Sequence, residues 1–134
     1  MSFPDSSQVS GGDRINGAVV LLAGLSGGLG VALSAMAAHV PGGDLLSNAA
    51  NMLLFHAPAF LALAALRNSG LRGILAGAAL VLAVGLALFA GDIASRVMLG
   101  HRLFPMAAPV GGSLMIAAWA GIVLAGIVRL ARRA

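Results

Sequence analysis

Two positions inside the long apolar stretches of this chain carry side chains that could do chemistry. His56 is one, and the other is Asp92 with Arg96 four residues later. An ionisable group in apolar surroundings is a functional candidate by default, and an imidazole there could relay protons, bind a cofactor or be purely structural. A carboxylate followed at this spacing by an arginine suits a helical ion pair. That pair could anchor a helix end, form a proton or ion site, or meet a partner's charge.

Further polar and small residues are expected at a depth similar to that of Asp92. The estimate comes from counting along helices at a rise of about 1.5 Å per residue. Together with the deeper His56, which is expected near the midplane, they make up the candidate polar cluster, or ligand contact: His39, Asn48, Asn51, His56, Asp92, Arg96, Pro109, Gly111 and Gly112. His39 and His56 lie at different depths on different helices, so a bis-histidine haem is not expected.

Signatures of enzymes and metal sites are missing from the sequence. The Asp and Glu residues number 4 and are dispersed, and there is no cysteine, so we expect no metal and no cofactor. No catalytic triad order, Walker-type loop or pair of acids is present, and we expect a protein that is not an enzyme.

The elements that must position these residues are long apolar stretches. They lie at 15–40, 45–66, 71–97 and 103–128. Each exceeds the ~20 residues that span a bilayer as a helix. Hydrophobic residues make up 60% of the 134 positions and charged residues 9%, against about a quarter charged in soluble domains. The sequence predicts an all-α integral membrane protein: a polar, flexible tail at 1–14, then one domain at 15–134. Short connections between the stretches favour an up-down-up-down four-helix bundle.

The arginines are distributed unevenly between the two ends of this predicted bundle. The end that holds both termini carries Arg14, Arg67, Arg72, Arg129, Arg132 and Arg133, whereas the other end carries Arg96 and Arg102. The positive-inside rule therefore places both termini in the cytoplasm, with the chain in the bacterial inner membrane. Because the arginines form no single patch, membrane lipid and not nucleic acid is the expected counter-charge, and no soluble substrate is evident. A cleaved signal peptide is the less favoured alternative, because the run from Ile15 to Leu33 exceeds the usual apolar core.

Small residues at regular spacing predict close helix packing. The predicted packing residues are Gly24, Gly28, Gly73, Gly77, Gly121 and Trp119. Glycines four residues apart let helix backbones approach closely in lipid, where packing replaces the hydrophobic effect as the driving force. We expect these positions to form seams within the bundle, and a dimer interface is the alternative.

Four segments, in order, resemble the motifs of a known family. They are Ser34–His39, Phe55–Ala59, Leu88–Asp92, and Ala108–Gly112 followed by Trp119. On these motifs the chain resembles the small four-span inner-membrane family called domain of unknown function 423, over nearly its whole length. The resemblance implies the fold and the membrane location, and it supplies no function.

The chain departs from the family pattern at several positions. Ala90 and Asp92 stand where the family has serines in the third span, Ala94 stands in place of a tyrosine, and Pro58 enters the second span. A role for hydroxyl groups in the family therefore does not carry over to these positions, and Asp92 is a candidate for a local specialisation.

Three functions remain open from the sequence. The first is a non-catalytic accessory or assembly subunit that packs on a larger inner-membrane complex, respiratory or photosynthetic, with other membrane protein subunits as partners. The alternative is a small transporter, channel or proton-handling protein that uses His56, Asp92 and Arg96. The third is a binder of lipid, quinone or pigment at the polar cluster.

Overall fold

The computed structural model describes residues 11–66 and 70–132. These residues form the helices α1 (Gly11–Ala37), α2 (Gly43–Leu66), α3 (Arg72–Leu99) and α4 (Ala107–Ala131). Each helix is long and apolar enough to cross a membrane, which confirms the prediction of an all-α, four-span membrane protein. The side of the membrane that each end faces stays a prediction from the arginine distribution.

The first and last helices differ in their bounds from the sequence-based expectation. Helix α1 begins by Gly11 and ends at Ala37, so 11–14 are helical and His39 lies in the connection to α2. Helix α4 begins at Ala107, because Met106 before it adopts the left-handed conformation with φ 71°. The segment from Leu103 to Met106 therefore belongs to the connection between α3 and α4. Residues 1–10 of the predicted tail lie outside the described residues.

The helices are arranged as two antiparallel hairpins, α1–α2 and α3–α4, which join along α2 and α3. Helix α1 touches α3 only slightly, and the backbone of α4 approaches neither α1 nor α2. The two middle helices consequently hold most of the core, in which Phe60, Leu46 and Leu82 are fully buried. Helices α1 and α4 expose large apolar side chains such as Leu21 and Ile116, as expected for surfaces solvated by lipid.

Away from the turns, helices α3 and α4 cross closely at Gly85 and Gly111. A methyl group at Gly85 would lie 2.7 Å from the carbonyl oxygen of Gly111, and one at Gly111 would lie 2.6 Å from the carbonyl oxygen of Gly85. On α1, a methyl group at Gly30 would lie 2.7 Å from Cγ of Leu54 on α2. Only glycine lets the backbones of α3 and α4 come this close.

Four of the five predicted packing glycines do not pack against another helix, and for these four the prediction of a seam inside the bundle is wrong. A methyl group at Gly24, Gly28, Gly73 or Gly77 would meet nothing within 4 Å, so none of these glycines forms a seam inside the bundle. A methyl group at Gly121 would be 3.7 Å from Cβ of Ala78, which is ordinary contact. Four-residue spacing defines a face of a helix, but it does not determine which face meets a neighbour. A dimer interface at the exposed glycines stays a prediction.

Candidate functional site

The predicted polar cluster divides into two separate sites in the structure. The first, here called the Asp92 site, lies near the end of α3. The Asp92 side chain is completely buried, and its Oδ2 accepts hydrogen bonds from Nε of Arg96 at 2.9 Å and from Nη2 of the same guanidinium. Its Oδ1 accepts a hydrogen bond from the backbone N–H of Leu103 at 3.0 Å. Both carboxylate oxygens therefore have partners within the chain.

The Asp92 site holds the α3–α4 connection against α3. Helix α3 ends at Leu99, and Gly100 after it, with a φ of 76°, turns the chain back. One helical turn before that end, Oγ of Ser95 donates a hydrogen bond to the carbonyl of His101 at 2.8 Å. Together with the Asp92–Leu103 bond, this contact satisfies backbone groups that would otherwise face an apolar environment. The geometry is that of a structural anchor with a partly exposed Arg96.

The second site, the His56 site, lies near the middle of α2. The ring is buried, its Nδ1 is 2.6 Å from the carbonyl of Met52, and its Nε2 accepts a hydrogen bond from Nε1–H of Trp119 at 3.3 Å. The indole nitrogen can only donate, so Nε2 carries no proton and the proton must lie on Nδ1. This assignment follows from the hydrogen-bond network.

Trp119 has a role that the sequence did not indicate. The sequence predicts it as a packing residue, and the structure adds a polar contact: its indole reaches from α4 to His56 on α2, although the backbones of these two helices are not close to each other. The rings of Trp119 and His56 are tilted by 56° with centroids 6.1 Å apart. Their separation of 63 positions hides the pairing from any local pattern. The sequence offered one clue to this pairing: Trp119, whose indole can donate a hydrogen bond, and His56 each lie near the middle of an apolar stretch.

The other predicted site residues do not join these two sites. His39, Asn48 and Asn51 are exposed on or near α2, and Pro109 is exposed at the start of α4. The carbonyl of Pro109 accepts a hydrogen bond from Ser113 on its own helix at 3.0 Å. Within 11–66 and 70–132, no group of three or more His, Cys, Asp or Glu side chains is placed to hold a metal ion. Gly111 serves the α3–α4 crossing, and Gly112 beside it has open space.

Replacing His56 by leucine is expected to leave the indole N–H of Trp119 without its acceptor. Trp119 is half exposed on the outside of the bundle, where apolar lipid offers its N–H no other acceptor. The loss should therefore lower the free energy of unfolding by about 1–2 kcal/mol, the usual cost of an unsatisfied donor with one lost hydrogen bond. Because the chain has a single tryptophan, its fluorescence reports on this site directly. We expect the emission to shift to shorter wavelength. His39→Leu, at an exposed connection, is the control, and an identical spectrum in both variants would contradict the assigned hydrogen bond.

Comparison with known proteins agrees with the architecture. Residues 33–112 match the family described as "Protein of unknown function (DUF423)". Over 122 residues the chain is 30% identical to the UPF0382 inner membrane protein YgdD of Escherichia coli K12. The aligned region covers 86% of this chain and 92% of the relative. The protein of the same name in Shigella flexneri matches with the same identity and coverage. No solved structure matches the chain. With four membrane-spanning helices and these relatives, the chain belongs to the DUF423 family and is a multi-pass inner membrane protein.

Proposed function

We propose that this protein is a non-catalytic accessory or assembly subunit that packs on a larger inner-membrane complex, respiratory or photosynthetic, through one face of α1. The observation that supports the proposal is a strip of exposed small residues: Gly17, Gly24, Gly28 and Ala35. At 100° per residue they lie within about 40° of one another around the helix. A methyl group on any of the three glycines would meet nothing within 4 Å.

No contact within 11–66 and 70–132 explains the small residues on this face. A glycine inside a helix costs about 1 kcal/mol relative to alanine, and no contact of these three offsets that cost. In lipid, close approach of a second helix is the usual compensation. From Gly17 to Ala35 the strip extends about 27 Å, nearly the thickness of the hydrocarbon core. A transmembrane helix of a partner protein fits this strip along its whole length.

The polar sites support a structural role more than transport. Both oxygens of Asp92 and both ring nitrogens of His56 are engaged by partners within the chain. A transporter, channel or proton-handling function would need these groups to exchange protons or ions with water. A binding site for quinone or pigment at the polar cluster has less support, because His39, Asn48 and Asn51 are exposed and belong to neither site.

The test is the double variant Gly24→Leu/Gly28→Leu. Because both positions face open space and leucine favours the helix more than glycine does, we expect the chain to fold with a thermal stability that is unchanged or higher. We also expect it to lose its partner proteins in affinity purification from native membranes in mild detergent, with faster migration on native gels. Ala62→Leu/Ala65→Leu, at exposed positions of α2, adds the same bulk elsewhere and should keep the partners.

Two results would argue against the accessory-subunit proposal. One is a wild-type protein that purifies as a free monomer. The other is a protein that associates solely with a second copy of itself, which would make the α1 strip a homodimer interface.

A further inference from the structure

A narrow apolar groove runs between α1 and α3 at the end of the molecule where both helices begin. Its volume is about 280 Å³, and its walls include Ala18 and Leu22 of α1 with Ala76, Ala79 and Leu80 of α3. The groove exists because α1 and α3 touch only slightly and because alanines line the space between them. The surface that lines the groove is almost entirely apolar.

Each of the two helices carries an arginine one turn before the residues that line this groove. Arg14 is part of the groove wall and lies one helical turn before Ala18. Arg72 lies one helical turn before Ala76 on the same face of α3. Helices α1 and α3 run in the same direction in this topology, so both side chains reach the same membrane surface, and both are exposed. Asp13 points about 100° around α1 from Arg14, away from this pair.

We propose that this groove binds one acyl chain of an anionic phospholipid and that Arg14 and Arg72 hold its phosphate. Guanidinium groups bind phosphate oxygens through paired, charge-assisted hydrogen bonds. From Arg14 to Leu22 the groove runs about 12 Å into the apolar layer, which suits a flexible hydrocarbon chain. A protein helix is about 10 Å across and cannot enter a space of this volume. The proposal is independent of the accessory role, which uses a different face of α1.

Native mass spectrometry of the intact chain with two lipids tests this site. The probes are phosphatidylglycerol and phosphatidylcholine with identical acyl chains, added in equal amounts. We expect one phosphatidylglycerol to be retained in preference to phosphatidylcholine. Arg14→Gln/Arg72→Gln should weaken phosphatidylglycerol binding roughly thirtyfold, because each arginine near an anionic lipid contributes about a factor of five.

Matched variants distinguish lipid binding in the groove from nonspecific electrostatic attraction of anionic lipid to the protein. Arg102→Gln/Arg132→Gln removes the same charge from exposed positions outside the groove and should change binding by no more than about twofold. Ala18→Leu/Ala76→Leu fills the groove, keeps both arginines and should also release the lipid, whereas Ala62→Leu/Ala65→Leu should not. The proposal is overturned if the two lipids bind equally, if both arginine pairs lose binding equally, or if the filled groove retains full binding.

Discussion

Gly111→Ala is expected to lower the free energy of unfolding by about 2–3 kcal/mol, within the range for overpacking of a well-packed contact. The added methyl group would lie 2.6 Å from the carbonyl oxygen of Gly85 and 2.6 Å from the backbone nitrogen of Phe89. Both atoms belong to the backbone of α3, so no side chain can rotate away and the helices must separate. Reversible unfolding in detergent micelles, followed by circular dichroism, measures the change.

Gly112, next to Gly111 on the same helix, provides a closely matched control. Gly112→Ala makes the same chemical change one residue later on the same helix, where no atom lies within 4 Å. We expect Gly112→Ala to leave the free energy of unfolding unchanged or to raise it by up to about 1 kcal/mol, because alanine favours the helix more than glycine does. The same comparison can be made on α3. Gly85→Ala should destabilise the protein as Gly111→Ala does, whereas Gly77→Ala, in open space, should behave like Gly112→Ala. Equal effects at 111 and 112 would show that the α3–α4 crossing tolerates bulk.

Asp92→Ala is the second change for which a large effect is expected. It removes the acceptor of both the Arg96 guanidinium and the Leu103 backbone N–H. Breaking a fully buried ion pair from one side costs about 3–5 kcal/mol, but Arg96 is 29% exposed and water screens part of that cost. We therefore expect a loss of about 2–3 kcal/mol. Asp92→Asn should lose less, because its amide oxygen can still accept from Leu103.

The local effect of Asp92→Ala can be measured at the α3–α4 connection itself. Arg102 lies in that connection, next to Leu103, and offers a trypsin site. Releasing Leu103 from Asp92 should accelerate cleavage after Arg102, and Ser95→Ala, which loses one hydrogen bond, should do so more weakly. Asp92→Leu/Arg96→Leu replaces the pair by apolar groups and should recover much of the stability. A functional ion site would instead show an intact fold in all four variants.

Local patterns predicted those features of the two sites that depend on neighbours along the helix. The Asp92–Arg96 pair was predictable because residues four apart share one face of a helix. The bond from Asp92 to Leu103 was not, because the predicted fourth span began at Leu103 and counted that residue as helical. Met106, with its left-handed φ of 71°, moves the start of α4 to Ala107 and leaves the amide of Leu103 free to reach Asp92.

The sequence by itself determined that this chain crosses the membrane as four helices. Its apolar runs are long enough to cross the membrane as helices, which satisfy the backbone within one segment, and they lack the short alternating strands of a closed barrel. Only the tertiary structure decided which helix faces meet: Gly85 against Gly111 and Trp119 against His56, with Gly24 and Gly28 left outside. The physical reason is that lipid is as apolar as the core. In a soluble protein hydrophobic periodicity separates the inner face of a helix from the outer one, and in this chain both faces are apolar.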